Sequence, residues 1–140
     1  MSKSARDVMT ADPACCSSDT TLDRVAQMMV KNNCGEIPIV DGGNRPIGVV
    51  TDRDIVCRVV AEGKNPTGQT AGTIMTKPVV TVRADTPLDE VISTMEKHQV
   101  RRVPVVDEGG CCTGIIAQAD IAAEAPSQSA AELVREVSRG

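Results

Sequence analysis

Shifting this 140-residue chain by 66 positions lays Met9-Thr10 on Met75-Thr76, Asp19-Thr20 on Asp85-Thr86, Leu22 on Leu88, Pro38 on Pro104 and Gly48 on Gly114. Residues 9–58 and 75–124 align without a gap, with about sixteen of fifty positions identical, which marks a tandem duplication. Whatever fold one half adopts, the other must adopt as well.

Within the first copy, Leu22, Val25, Ala26, Met29 and Val30 recur at helical spacing and predict an amphipathic helix over 21–32. Asp19 and Thr20 are expected to cap it, and Asn32, Asn33 and Gly35 to end it. Glu36 to Val40 and Pro46 to Val50 predict an antiparallel hairpin around Asp41-Gly42-Gly43-Asn44-Arg45. A second helix is expected from Asp52 to Ala61. The second copy repeats this order: an extended Thr76 to Val82, a helix capped by Thr86 with Pro87 at its first position, strands at Arg102 to Val106 and Thr113 to Ala117, and a helix from Ile121. The pattern predicts a mixed α/β (α+β) fold of two β-α-β-β-α repeats, at 6–62 and 73–124. A Gly- and Pro-containing linker would join them at 63–72. After Pro126, Ser129 to Glu132 resembles a capping box, so a short helix carrying Leu133, Val134 and Val137 is expected in a tail at 125–140.

Composition narrows the function. With 41% hydrophobic residues and no Phe, Tyr or Trp, the core must be aliphatic. Bases cannot stack on aromatic rings here, and the net charge is −4, which argues against nucleic acid as a partner. The first residues lack an apolar signal region and no run reaches the ~18 apolar residues of a membrane span, so the expected location is cytoplasmic. The six cysteines include no C-x-x-C pair, and His98 is the sole histidine, so no metal site is expected. The vicinal pairs Cys15-Cys16 and Cys111-Cys112 leave a redox or soft-metal role as the minor alternative. A hydrolase needs a nucleophile activated by a base, and His98 has no evident partner.

The most informative stretch is Gly48-Val-Val-Thr51-Asp52-Arg53-Asp54, where an apolar strand meets a cap-like sequence; Gly114 to Asp120 repeats it. Thr51 and Asp54 have the spacing of a capping box. A helix start of this kind favours a phosphate, and an ionised Asp accepts hydrogen bonds from a diol such as a ribose. The same residues also serve as plain caps, and the stretch alone leaves both readings open.

With its Pro-Ile-Val-Asp41 and Pro-Val-Val-Asp107 strands and the two Gly-to-Asp junctions, the chain resembles a tandem pair of cystathionine β-synthase (CBS) domains over roughly residues 6–124. The resemblance implies a pseudo-twofold sandwich with two clefts, no catalytic activity and no required cofactor. It implies a regulatory role through AMP, ADP, ATP or another adenosyl compound. One cleft would use Thr51, Arg53 and Asp54 with Thr76, Val80 and the backbone of Val100. The other would use Asp120, Arg101 and Arg102 with Thr10, Ala14 and Cys34. Adenine would lie between aliphatic side chains such as Ile37 or Val103. The family pattern also implies a homodimer through the helix stripes and an unidentified regulated protein. The alternative is a protein–protein interaction scaffold without a nucleotide.

Overall fold

The computed structural model describes residues 3–77 and 79–124; the expected tail helix lies outside them. The chain forms two compact units, and their boundaries are not those of the sequence repeats. One unit runs from Pro13 to Val79. The other joins the residues up to Asp12 with those from Val80 onward. Each repeat therefore hands its first segment to the unit built around the other repeat.

In the Pro13–Val79 unit, helix α2 (Leu22–Asn32) packs with the hairpin β2 (Glu36–Val40) and β3 (Pro46–Thr51), followed by helix α3 (Asp52–Ile55). Cys16 bridges Ile39 in parallel at one edge of the hairpin, and Thr76 bridges Val49 antiparallel at the other. Helix α4 (Ala71–Ile74) brings the leading segment of the second repeat into this unit, burying Ala71 and Ile74 beside Leu22, Val25, Ile37, Ile39, Val50, Ile55 and Val59.

The second unit repeats the plan. Helix α5 (Leu88–His98), strands β5 (Arg102–Val106) and β6 (Cys112–Ala117) and helix α6 (Gln118–Glu124) follow strand β4 (Val82–Arg83). The four-stranded sheet has the order β1-β6-β5-β4, where β1 (Thr10–Ala11) and helix α1 (Ala5–Val8) come from the start of the chain. Ala5 and Val8 are buried with Val91, Met95, Val103, Val105, Ile116 and Ile121. Burying a side chain such as Val8 contributes about 1.5–3 kcal/mol, and the segment is also tied by backbone bonds from Ala5 to Thr86 (2.9 Å), Arg6 to Ala84 (2.9 Å) and Leu88 to Lys3 (2.8 Å).

Helices α2 and α5 match their expected spans and bury equivalent residues: Leu22, Val25 and Met29 in one, Leu88, Val91 and Met95 in the other. Each ends in a left-handed residue, Asn33 (φ 50°) or Gln99 (φ 51°). Their starts differ from expectation. Thr21, not Asp19 or Thr20, is the N-cap of α2 and makes no side-chain cap bond, while the Asp19 carboxylate accepts the Ser17 hydroxyl. Pro87 is the N-cap of α5, and the Thr86 hydroxyl accepts the Arg83 N–H (2.9 Å) within the preceding turn. Helix α6 begins at Gln118, not Ile121. The stretch expected as a helix to Ala61 is α-helical only to Ile55; Val56–Val60 is a π-helical turn, at a run rich in β-branched residues that crowd an α-helix. The expected extended starts and linker contain α1, a 3-10 turn at Pro66–Gly68 and α4. Both hairpin turns are closed by an aspartate. Asp41 accepts the N–H groups of Gly43 (2.9 Å) and Arg45 (3.0 Å), the latter foremost in holding its carboxyl below the ordinary value, and Asp107 accepts those of Gly109 (2.9 Å) and Cys111 (3.0 Å).

The repeated glycines and methionines belong together. A Cβ on Gly48 would come within 2.5 Å of Met75 Sδ, and one on Gly114 would meet Met9 Sδ and approach the Thr10 carbonyl at 3.1 Å. Each glycine lets the Met-Thr segment of the other repeat lie flat on its strand. Gly114→Val is expected to lower unfolding free energy by about 1–3 kcal/mol through overpacking, more than Gly42→Val, where nothing lies within 4 Å; urea denaturation of the two variants measures the difference.

Candidate functional site

Both Gly-to-Asp stretches are strand-to-helix junctions. At the first, Thr51 ends β3 in extended backbone (φ −109°, ψ 163°). Its Oγ1 accepts the Asp54 N–H (3.1 Å), and its own N–H donates to Asp54 Oδ2 (2.9 Å), a reciprocal capping box. The Asp52 N–H goes to the Gly35 carbonyl (2.9 Å) and the Arg53 N–H to Asp52 Oδ1 (2.8 Å). The other oxygen of Asp54, Oδ1, lies 3.8 Å from Arg58 Nε. Arg58 Nη1 also donates to the Ile74 carbonyl at 2.8 Å. The Arg58 side chain is 51% exposed and that of Asp54 14%, so water screens the pair and its net worth is at most about 1 kcal/mol.

The second junction keeps half of this arrangement. The Ala117 N–H donates to Asp120 Oδ2 (2.8 Å) and the Gln118 N–H to the Arg101 carbonyl (2.8 Å). Ala117 has no hydroxyl with which to close the box. The flanking strands also differ in charge: Glu36 stands opposite Thr51, and Arg102 opposite Ala117.

Of the residues expected in the clefts, Ala14, Cys34, Thr51, Arg53, Asp54 and Thr76 fall in the Pro13–Val79 unit. Thr10, Val80, Val100, Arg101, Arg102 and Asp120 fall in the other. Thr76 is held beside the first junction by its N–H on the Val49 carbonyl (2.9 Å) and by the reverse bond (3.3 Å); Thr10 faces Ile115 in the same relation to the second. Both threonines are exposed. Ala14 and Cys34 pack against one core, and Val80 and Val100 against the other. The amides of Cys34 and Val100 are committed to helix ends, on Met29 (3.0 Å) and Met95 (3.1 Å). Ile37 and Val103, expected beside adenine, are both fully buried in the cores. Arg58 was not among the expected residues, although its position four after Asp54 is the spacing of a helical ion pair.

Among the described residues, no three His, Cys, Asp or Glu side chains gather as a metal site, and no helix is long and apolar enough to cross a membrane. Cys16, Cys34 and Cys57 are free thiols. Burial pushes the Cys16 thiol up from its ordinary value against the lowering effect of the Thr20 hydroxyl, which makes it a poor nucleophile at neutral pH.

The CBS domain model matches residues 5–61 and 71–127. The chain belongs to the CBS domain family. This CBS pair is 38% identical over 133 residues to hypoxic response protein 1 of Mycobacterium tuberculosis, covering 95% of this chain and 92% of that protein. A crystal structure of hypoxic response protein I with two coordinated zinc ions superposes with a TM-score of 0.79 at 40% identity, covering 89% of this chain and 100% of that one. A CBS domain pair in complex with 5′-methylthioadenosine and S-adenosyl-L-methionine gives 0.80 at 30% identity, covering 88% and 95%. A Pyrobaculum aerophilum CBS domain protein complexed with AMP gives 0.79 at 25% identity, covering 94% and 98%.

The unequal boxes yield a paired expectation. Thr51→Ala should cost about 0.5–2 kcal/mol, the usual loss at an N-cap, while Ala117→Thr should recover part of such an amount by completing the second box. Equilibrium urea unfolding of both variants checks the opposite signs.

Proposed function

We propose that this CBS pair is a non-catalytic sensor of adenine nucleotides or other adenosyl compounds, with AMP foremost, read at the Asp54 and Asp120 junctions. The observation that carries this reading is the common placement of the two carboxylates. Each binds the N–H of its strand end through Oδ2, which fixes the side chain and leaves Oδ1 outside the box. An ionised carboxylate fixed in this way accepts ribose hydroxyls without first having to be ordered. The AMP, methylthioadenosine and S-adenosylmethionine complexes of the related CBS pairs support the ligand class.

Calorimetric titration with AMP, ADP, ATP, NAD and S-adenosylmethionine tests the proposal, and heat with at least one is expected. The absence of Phe, Tyr and Trp also makes any nucleotide that accompanies the purified protein visible in its ultraviolet spectrum. A charge-assisted bond to ribose is worth about 1.5–3 kcal/mol, so Asp54→Ala should weaken binding roughly tenfold or more. Unchanged affinity would move the site to Asp120, and no binding of any ligand would sink the sensor reading.

A second reading, a module that assembles with itself, is favoured by one surface feature. Val30, Val56 and Val60 are 83%, 57% and 59% exposed on α2 and the π-helical turn, where the repeat offset puts Glu96 and Ala122 against the first two. A twofold pairing through these helices would cover exposed valines, and closed twofold dimers are the commonest solution for soluble homo-oligomers. Light scattering after size exclusion should give the mass of two chains, and Val56→Glu should shift it to one. A single-chain mass for the unaltered protein would exclude the dimer.

A further inference from the structure

Arg58 is fixed at two points, with Nη1 on the Ile74 carbonyl at 2.8 Å and Nε 3.8 Å from Asp54 Oδ1. It belongs to the π-helical turn Val56–Val60, in which the Ala61 N–H reaches back five residues to the Val56 carbonyl (2.8 Å). Such turns frequently accompany functional sites. The bond to Ile74 holds the guanidinium beside the one oxygen of Asp54 that the capping box does not use. A hydroxyl donated to Oδ1 would therefore sit within a few ångströms of a held cation. At the same offset in the second repeat the sequence has Glu124 in place of an arginine.

We propose that Arg58 is the positioning and specificity residue of the first adenosyl site. It holds Asp54 in place for the ribose and sorts ligands by the charge of their 5′ substituent, a phosphate before a neutral thioether and a thioether before a sulfonium. This rests on the adenosyl reading of the Asp54 junction. The effect is moderate because Arg58 is half exposed. For a unit charge on the ligand taken to lie roughly 7 Å from the guanidinium, with an effective dielectric constant of about 40–80, affinity changes about three- to sevenfold.

The test isolates the first junction with Asp120→Ala and compares AMP, methylthioadenosine and S-adenosylmethionine by calorimetry in proteins carrying Arg58, Arg58→Gln or Arg58→Lys. With Arg58, the expected order is AMP, then methylthioadenosine, then S-adenosylmethionine. In Arg58→Gln, AMP should lose about three- to sevenfold or more relative to methylthioadenosine, and S-adenosylmethionine should gain by a similar factor. Arg58→Lys, which keeps the charge, should restore the order even if all three ligands bind more weakly. An equal loss for all three ligands in Arg58→Gln, or an unchanged order, would show a merely structural role and overturn the inference. If none of the three binds while Arg58 is intact, the adenosyl reading of the first junction fails and the inference falls with it.

Discussion

The contact on which the rest depends is the seating of a methionine on a glycine: Met75 over Gly48 in one unit, Met9 over Gly114 in the other. Only a strand without a side chain at that point lets the neighbouring segment approach closely enough for Thr76 to pair with Val49 and Thr10 with Ile115. That pairing carries a short helix with it, and Ala71 with Ile74, or Ala5 with Val8, then completes a core built from the other repeat. The duplication is therefore built into the folding unit itself. Neither repeat supplies all of its own core, because each gives its leading segment to the other.

Much of this was legible in the sequence. The 3.6-residue stripes of Leu22 to Met29 and Leu88 to Met95 fixed two helices, and the Gly-rich turns after Asp41 and Asp107 fixed two hairpins, because those signals are local and strong. The Thr51–Asp54 box was equally local and formed as expected. What was not legible depended on tertiary partners. Helices α1 and α4 have four residues each, too short to stand on propensity alone, and are held by burial. The exchange of leading segments left a trace in the matched Met-Thr and Gly pairs, but one sequence does not say whether such a pair meets within a repeat or between two. Ile37 and Val103, which the resemblance places beside adenine, are fully buried, and a family pattern does not say how deep an aliphatic strand residue lies. The contact of Arg58 with Ile74 spans sixteen residues, beyond the reach of a local sequence pattern.

The two junctions show how a duplicated frame diverges in chemistry while its geometry persists. Backbone donors and acceptors correspond at both: strand-end N–H to carboxylate, helix-start N–H to the carbonyl of Gly35 or Arg101. The residues at equivalent sequence positions differ, with Thr51 against Ala117 and Gly35 against Arg101. Fold stability rests on the shared backbone pattern and on two aliphatic cores, which leaves these positions able to change charge at little structural cost.

The exchange of leading segments is the central claim, and hydrogen exchange on a chain shortened to begin at Pro13 tests it most directly. Removing residues 1–12 takes α1 and β1 out of the unit that contains β5 and β6. The account predicts that amides of residues 102–117, in the distant second repeat, lose protection relative to the full chain, while those of residues 36–51, in the truncated repeat itself, keep theirs. Loss of protection in 36–51 with 102–117 unchanged would contradict it.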